Sequence, residues 1–326
     1  MKYTNLGKTG LKVSRICLGC MSFGDPKIRK WSLTEEESLP FFNKAVESGI
    51  NFFDTANMYS RGASEIITGK GLKKYAKREQ IVLASKVFFP MRDEPNGGGL
   101  SRKAIMSEID NSLKRLQTDY LDLYQIHRWD YNTPIEETLE ALHDVVKSGK
   151  VRYIGASSMY AYQFTKSLYI ADLKKLTRFV SMQNHYNLLY REEEREMMKL
   201  CQEEGIGVLP WSPLARGRLA RPWKKDVKTK RAKTDDYSDK LYGSTVEADK
   251  RIIDAVTKIS NERSVSQAVV SLAWHLSKPF VTSPIVGVTK PKHIDDAISS
   301  VNVKLTEEEI NKLEENYIPH SVVGFN

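Results

Sequence analysis

Four residues of this chain have side chains suited to placing a proton on an oxygen: Asp54, Tyr59, Lys86 and His127. Tyr59 stands five residues after Asp54, in Phe53-Asp54-Thr55-Ala56-Asn57-Met58-Tyr59. A free tyrosine has a pKa of about 10 and is a poor acid or base at neutrality. A nearby ammonium favours the phenolate and lowers that pKa, and Lys86 can supply the charge. Asp54 can pair with Lys86 and hold it in place, while His127 can orient or polarise a carbonyl oxygen. Such a set protonates a carbonyl as it becomes an alcohol, which suits hydride transfer.

Each of these residues ends or closely follows a short apolar run. The runs are 16–19, 50–53, 81–84, 121–126, 153–156, 179–182, 208–210 and 281–286. They read as eight strands, several of them nearly continuously apolar, as strands covered on both faces should be. Amphipathic helical patterns lie between them. Thr34 with Glu37, Thr133 with Glu136, Ser264 with Gln267 and Thr306 with Glu309 each read as a capping box. Pro134 falls where the first helical residue should be, and Gly49, Gly149 and Gly205 read as C-terminal caps. Strand then helix, repeated eight times, predicts an α/β fold of the (β/α)8 barrel type. Residues 3–6 and 11–14 flank Gly7-Lys8-Thr9-Gly10 and predict an N-terminal β-hairpin that plugs one end.

In a parallel barrel all strand ends lie around one mouth, where barrel active sites are built. The ends here carry Asp54, Ser85-Lys86, His127, Ser157-Ser158, Gln183-Asn184, Trp211-Ser212, and Gly287 with Thr289.

The composition agrees with one large folded unit, and a single domain over 1–326 is expected. Of 326 residues, 40% are hydrophobic and 28% charged, enough apolar content for a sizeable core and too little bias for wholesale disorder. Three cysteines rule out a disulfide scaffold and fit a reducing compartment, so a cytoplasmic location is expected. No apolar run reaches the ~18 residues of a membrane span, and the N-terminus lacks the apolar stretch of a signal peptide. The net charge of +9 at first suggests nucleic acid, an anionic surface or an anionic small molecule. It is concentrated in one place. Arg216, Arg218, Arg221, Lys224, Lys225, Lys228, Lys230, Arg231 and Lys233 share the segment 216–233 with a single acid, Asp226. This segment opens a long polar loop after strand seven, from Ser212 to about Thr245. A second loop, 88–100, contains Gly97-Gly98-Gly99.

Other signals carry less. Cys17 and Cys20 have CxxC spacing but no second pair, and read as buried thiols. Gly7-Lys8-Thr9 lacks the first glycine of a phosphate loop, and no G-x-G-x-x-G follows a strand. His143, His185, His275 and His320 show no metal-ligand spacing and read as surface or structural residues. No metal is expected.

The chain resembles the aldo-keto reductase superfamily over nearly its whole length. Gly49-Ile50-Asn51-Phe52-Phe53-Asp54-Thr55-Ala56, with Tyr59 and Ser64-Glu65 to Gly69, matches that family's first signature. Leu113-Lys114-Arg115-Leu116 through Asp119-Tyr120-Leu121-Asp122-Leu123-Tyr124-Gln125-Ile126-His127 matches its second. Trp211 and Ser212-Pro213-Leu214-Ala215 resemble most the branch holding potassium-channel β subunits and related bacterial and fungal reductases.

The resemblance implies a catalytic tetrad of Asp54, Tyr59, Lys86 and His127 working with a nicotinamide cofactor and no metal. It implies cofactor contacts at Cys20 and Met21 near the ribose, and at Ser157 and Gln183 to the carboxamide. Trp211 would stack on the ring, and Ser212, Pro213, Leu214, Arg216 and Arg218 would follow the pyrophosphate. Gly287, Thr289, His293 and Asp296 would surround the adenosine end. Three positions depart from many members: Ser158 and Ala297 stand where they have Asn, and His293 where they have Arg or Gln. The basic loop beside the expected phosphates predicts NADPH in preference to NADH.

The leading reading is therefore an NADPH-dependent enzyme reducing aldehydes or ketones, with Tyr59 as proton donor. Its partner is a small-molecule carbonyl, with no nucleic acid, membrane or obligate protein partner implied. Phe88, Phe89, Trp129 and Trp31 follow strand ends and predict an aromatic substrate pocket lined also by Tyr59 and His127, with the tail 317–326 at its border. A regulatory NADPH-binding subunit is the second reading, opposed by His127, since the channel-associated relatives have Asn there. A Schiff-base aldolase using Lys86 is the third, opposed by the Asp54 and Tyr59 signature.

Overall fold

Alternation along the strands decides what fills the centre. In the computed structural model, which describes residues 1–223, 234, 241–243 and 245–325, eight strands run parallel in one sheet. They are β3 (Cys17–Gly19), β4 (Phe52–Asp54), β5 (Val82–Val87), β6 (Leu121–Ile126), β7 (Val151–Ser157), β8 (Phe179–Gln183), β9 (Gly207–Val208) and β10 (Ile285–Gly287). β10 pairs with β3, and the other edge closes through Thr282 N donating to Val208 O at 2.9 Å and Ile285 N to Pro210 O at 2.9 Å. The sheet is thus a closed (β/α)8 barrel. The predicted hairpin is present as β1 (Tyr3–Asn5) and β2 (Lys12–Ser14), antiparallel.

Successive strand residues face opposite sides. Cys17, Phe52, Val82, Ala84, Leu123, Leu209 and Ile285 face inward and pack with Leu6 and Val13 of the hairpin, which close the lower end. Leu18, Phe53, Leu83 and Tyr124 face outward onto the helices. Both faces are apolar, so β5 and β6 are buried at every position.

The helices cover the outside. They are α1 (Glu35–Glu47), α2 (Ala63–Tyr75), α3 (Arg102–Leu116), α4 (Ile135–Lys147), α5 (Ala161–Leu173), α6 (Met197–Glu204), α7 (Val246–Glu262), α8 (Gln267–Ser277), α9 (Pro291–Ser300) and α10 (Glu307–Glu314). In α4, Ile135, Leu139, Leu142 and Val145 form the buried stripe. The capping boxes at Thr34 and Thr306 are formed. The other two are corrected. Thr133 Oγ1 donates to Asp130 Oδ2 at 2.8 Å, and Pro134 itself is the N-cap of α4, one residue before the expected position. Ser266, not Ser264, caps α8 by accepting from Val269 N, while Ser264 takes a left-handed turn conformation.

Two strands are cut short by a proline in their apolar runs. Pro210 and Pro284 have no N–H to give to a ladder. The seventh ladder is therefore Gly207–Val208, and the eighth begins at Ile285 after Val281 has made one bridge to Val208.

Candidate active site

The inward face of the barrel changes character at its upper end. Two residues above Phe52 is Asp54, two above Ala84 is Lys86, and two above Leu123 is Gln125, followed by His127. An apolar layer is thus capped by a polar one. Lys86 Nζ lies 2.5 Å from Asp54 Oδ2, 2.7 Å from Thr55 O and 3.4 Å from the Tyr59 hydroxyl. The remaining carboxylate oxygen of Asp54 accepts from Gln125 Nε2 at 3.1 Å and Gln183 Nε2 at 3.0 Å. Lys86 is 0% exposed, Asp54 2%, His127 6% and Tyr59 9%. Burial opposes the Lys86 charge, but Asp54 and Tyr59 outweigh it and hold its pKa above the ordinary lysine value.

Tyr59 reaches this layer from the loop after β4. Thr55 N donates to Ala84 O at 3.0 Å and Asn57 N to Lys86 O at 3.2 Å, which pins the loop along the lysine's own strand. After Tyr59, Ser60, Arg61 and Gly62 all take positive φ, a concentration of costly backbone beside the site. Gly62 is required there: its φ is +91°, and a Cβ would meet Arg115 Cδ at 2.7 Å. Arg115 in turn pairs with Glu65 Oε2 at 2.5 Å, whose other oxygen accepts from Ser85 Oγ at 2.5 Å. Asn57 Nδ2 donates to Glu108 Oε2 at 3.0 Å, and Arg115 lies 3.6 Å from the same carboxylate. The two signature segments are therefore one buried polar network under the Tyr59 loop.

The His127 ring stands edge-on to Tyr59, with centroids 5.7 Å apart. Burial first, then Lys86, Arg128 and Arg29, push its pKa well below that of free imidazole, so it is neutral at neutral pH. Phe89 meets its edge at 5.0 Å, and Phe88 packs against Phe89 at 5.2 Å. Phe89 is thus the nearer of the two to the tetrad. Trp129 is partly buried against the outer core. Arg29 lies 5.8 Å from the Trp31 ring and 5.7 Å from the Tyr59 ring, which puts Trp31 on the same side of the mouth.

The sequence profile of the Aldo/keto reductase family matches residues 15–318. The chain belongs to this family. It is 46% identical to a versiconal hemiacetal acetate reductase of Aspergillus parasiticus, over 99% of this chain and 98% of the relative. It is 44% identical to a putative aryl-alcohol dehydrogenase of Schizosaccharomyces pombe, over 99% and 97%. An aldo-keto reductase of Metarhizium robertsii shares 43%, over 99% and 92%. Membership makes the chain an oxidoreductase of carbonyl groups, and the family generally uses a nicotinamide cofactor.

The residues expected from the resemblance to contact the cofactor lie at the strand ends around the same mouth. Cys20 and Met21 form the turn that follows β3. Cys20 is buried, and burial pushes its thiol up to about 12. Ser157 Oγ donates to Gln183 O at 2.9 Å at the adjoining ends of β7 and β8. Trp211 is partly exposed, and its Nε1 donates to Ser158 Oγ at 3.0 Å, so the serine that departs from the family pattern holds the indole. From Ser212 through Pro213 and Leu214 the chain turns tightly, with Ser212, Ala215, Arg216 and Gly217 at positive φ, bringing Arg216 and Arg218 onto this face, both partly buried. Lys224, Lys225, Lys228, Lys230, Arg231 and Lys233 lie outside the described residues.

Beyond Gly287, Thr289 N donates to His293 Nδ1 at 3.2 Å. The helix α9 starts at Pro291 without a side-chain cap or an acid in its first turn, and Lys290, Lys292 and His293 gather at that end. A positive helix terminus surrounded by bases suits a phosphate. Asp296 follows in the next turn, partly exposed, and Ala297 is buried. The tail borders the mouth: Phe325 packs on Tyr160 at 4.9 Å, and a Cβ on Gly324 would lie 3.2 Å from the Trp211 ring. Among the described residues no His, Cys, Asp or Glu cluster could hold a metal, and no helix is long and apolar enough to cross a membrane.

Sequence reasoning missed Gln125, which shares Asp54 with Gln183. The signal was available, because Gln125 sits between inward-facing Leu123 and His127 with the parity of both.

Proposed function

We propose that the chain is an NADPH-dependent reductase of aldehydes and ketones, with Tyr59 donating the proton that completes the alcohol. The observation that carries this reading is the Asp54–Lys86–Tyr59 chain beneath a neutral His127. The nicotinamide, when bound, supplies the hydride. The Tyr59 hydroxyl gives its proton to the carbonyl oxygen, and the adjoining Lys86 ammonium stabilises the phenolate left behind. Asp54 keeps that ammonium charged and fixed. His127, neutral, is a hydrogen-bonding group that orients the carbonyl without competing as an acid.

The residues around the mouth fit such a cofactor. Trp211 offers a flat, partly exposed face, the turn 212–218 brings two guanidiniums, and the start of α9 offers a phosphate-binding terminus. These cationic groups support NADPH over NADH. The Phe88–Phe89 pair beside His127, with Trp31, supports aryl carbonyl substrates, in keeping with the name of the Schizosaccharomyces pombe relative, a putative aryl-alcohol dehydrogenase. All three cysteines are buried free thiols, in keeping with a reducing compartment such as the cytoplasm. The Schiff-base alternative is disfavoured because Asp54 holds Lys86 as ammonium, which is not nucleophilic.

The test is Tyr59→Phe. Reduction of an aryl aldehyde should fall by about 10²–10⁴-fold, the usual worth of a positioned general acid, with NADPH affinity retained. Turnover near the wild-type rate would defeat the assignment, and tighter binding of NADH than NADPH would defeat the cofactor preference.

A further inference from the structure

Behind Trp211 three rings are stacked. The His185 imidazole lies flat on the indole, with centroids 4.3 Å and planes 13° apart, and Tyr190 covers its other face at 4.3 Å and 14°. His185 and Trp211 meet because they leave β8 and β9 at the same height, joined by one backbone bridge. Trp211 N donates to Asn184 O at 2.7 Å, and Nε1 to Ser158 Oγ. These bonds fix the backbone at Trp211 and one edge of the indole. The imidazole supports its face.

The imidazole is itself held. It is fully buried, and burial, then Arg216, His320 and Arg128, keep it neutral. Its Nε2 lies 2.8 Å from the Tyr242 hydroxyl and 3.4 Å from Asn187 Nδ2. The amide nitrogen of Asn187 has two hydrogens, and its two shorter contacts take them: the Tyr242 oxygen at 2.9 Å and Ser212 O, next to Trp211, at 3.0 Å. The tyrosine hydroxyl, accepting from Asn187, therefore gives its own proton to His185 Nε2, which makes Nε2 the acceptor and leaves the ring proton on Nδ1. Tyr242 is likewise fully buried. This chain of donors runs one way and sets both the tautomer and the rotation of the imidazole.

We propose that His185 and Tyr242 are positioning residues for cofactor binding: the Tyr242 hydroxyl locks the His185 ring, and that ring sets the plane of Trp211. The inference rests on the reading that Trp211 faces the nicotinamide. It also connects the far end of the long loop after β9 to the aromatic at its start, so the loop's anchorage and the cofactor platform share one hydrogen-bonded unit.

The experiment is a double-mutant cycle read by NADPH Kd, from fluorescence titration well below every melting temperature, together with Tm and the KM and kcat for NADPH. Tyr242→Phe keeps the ring and removes the hydroxyl. His185→Phe keeps a flat ring and removes the acceptor. Each single change should weaken NADPH binding about tenfold, the effect of one lost hydrogen bond with a buried partner left over, and raise KM more than it lowers kcat. The double variant, with both polar partners gone and the stack retained, should bind NADPH better than the product of the single effects. Unchanged NADPH Kd in Tyr242→Phe, with or without a lower Tm, would overturn the proposal, as would strictly additive effects. Wild-type protein that binds no NADPH would instead overturn the underlying reading of the site.

Discussion

Asp54→Asn isolates the strongest electrostatic commitment at the barrel mouth. The substitution keeps the volume and one oxygen, so Gln125 and Gln183 can still donate to it. What disappears is the negative charge 2.5 Å from an ammonium with no exposed surface. Removing one partner of a buried ion pair costs about 3–5 kcal/mol, because the other charge is left without compensation. Unfolding entropy near 2.1 cal/mol/K per residue gives roughly 0.7 kcal/mol/K for 326 residues. The melting temperature should therefore fall by about 4–7 °C at neutral pH.

The pH dependence supplies the check on cause. Lys86 has its folded pKa raised above the ordinary lysine value of 10.5. Its contribution is fully present below that value and is lost as pH rises through the folded pKa. The gap in Tm between wild type and Asp54→Asn should thus be widest while Lys86 is charged in both proteins, and should narrow as pH rises, first through the lowered lysine pKa of the variant and then through the raised one of the wild type. In the variant, burial of Lys86 is opposed only by Tyr59 and lowers its pKa, so reductase activity should decline with rising pH where the wild type is still flat. Scanning calorimetry across pH and steady-state reduction of an aryl aldehyde provide both readings. A variant that melts within 1 °C of wild type, or whose deficit persists unchanged above the lysine pKa, would refute the assignment of a structural and electrostatic role to this pair.

Two further predictions concern residues away from the reacting oxygen. Glu193 is buried beside Asn184, and burial raises its pKa to about 8, against 4.5 for an ordinary glutamate. The folded state holds the extra proton between those values, so wild-type stability should decline across that window relative to Glu193→Gln, by up to about 1.4 kcal/mol per pH unit; parallel Tm-versus-pH curves would contradict this. Gly69 packs on the backbone of α3, and a Cβ there would lie 2.3 Å from Leu116 O. Gly69→Ala should therefore destabilise the protein by about 1–3 kcal/mol in denaturant titrations despite the better helix propensity of alanine, and a stabilised variant would show that the contact relaxes freely.

What the sequence made legible, and what it did not, divides along one physical line. A residue's height on its strand and its inward or outward parity are local properties, and they were enough to place Asp54, Lys86, His127, Gln183 and Trp211 around one mouth. Helix starts were legible where one hydroxyl had one available partner, as at Thr34 and Thr306. They failed at Thr133, where Asp130 captured the hydroxyl, and at Ser264, where Ser266 offered a competing cap closer to the helix. Partnerships across the barrel are another matter, because they depend on register between strands. Glu65, Arg115 and Glu108 form one buried unit only because β4, β5 and β6 bring α2 and α3 together at a common level. The same reasoning applies to His185, whose spacing identifies no ligand set and no partner. The register of β8 against β9 turns it from an unassigned histidine into the support behind Trp211. Chemistry at the barrel mouth is therefore written residue by residue along each strand, whereas the orientation of its groups is written between distant segments, in pairs 25 to 57 positions apart such as Ser212 with Asn187 and Tyr242 with His185.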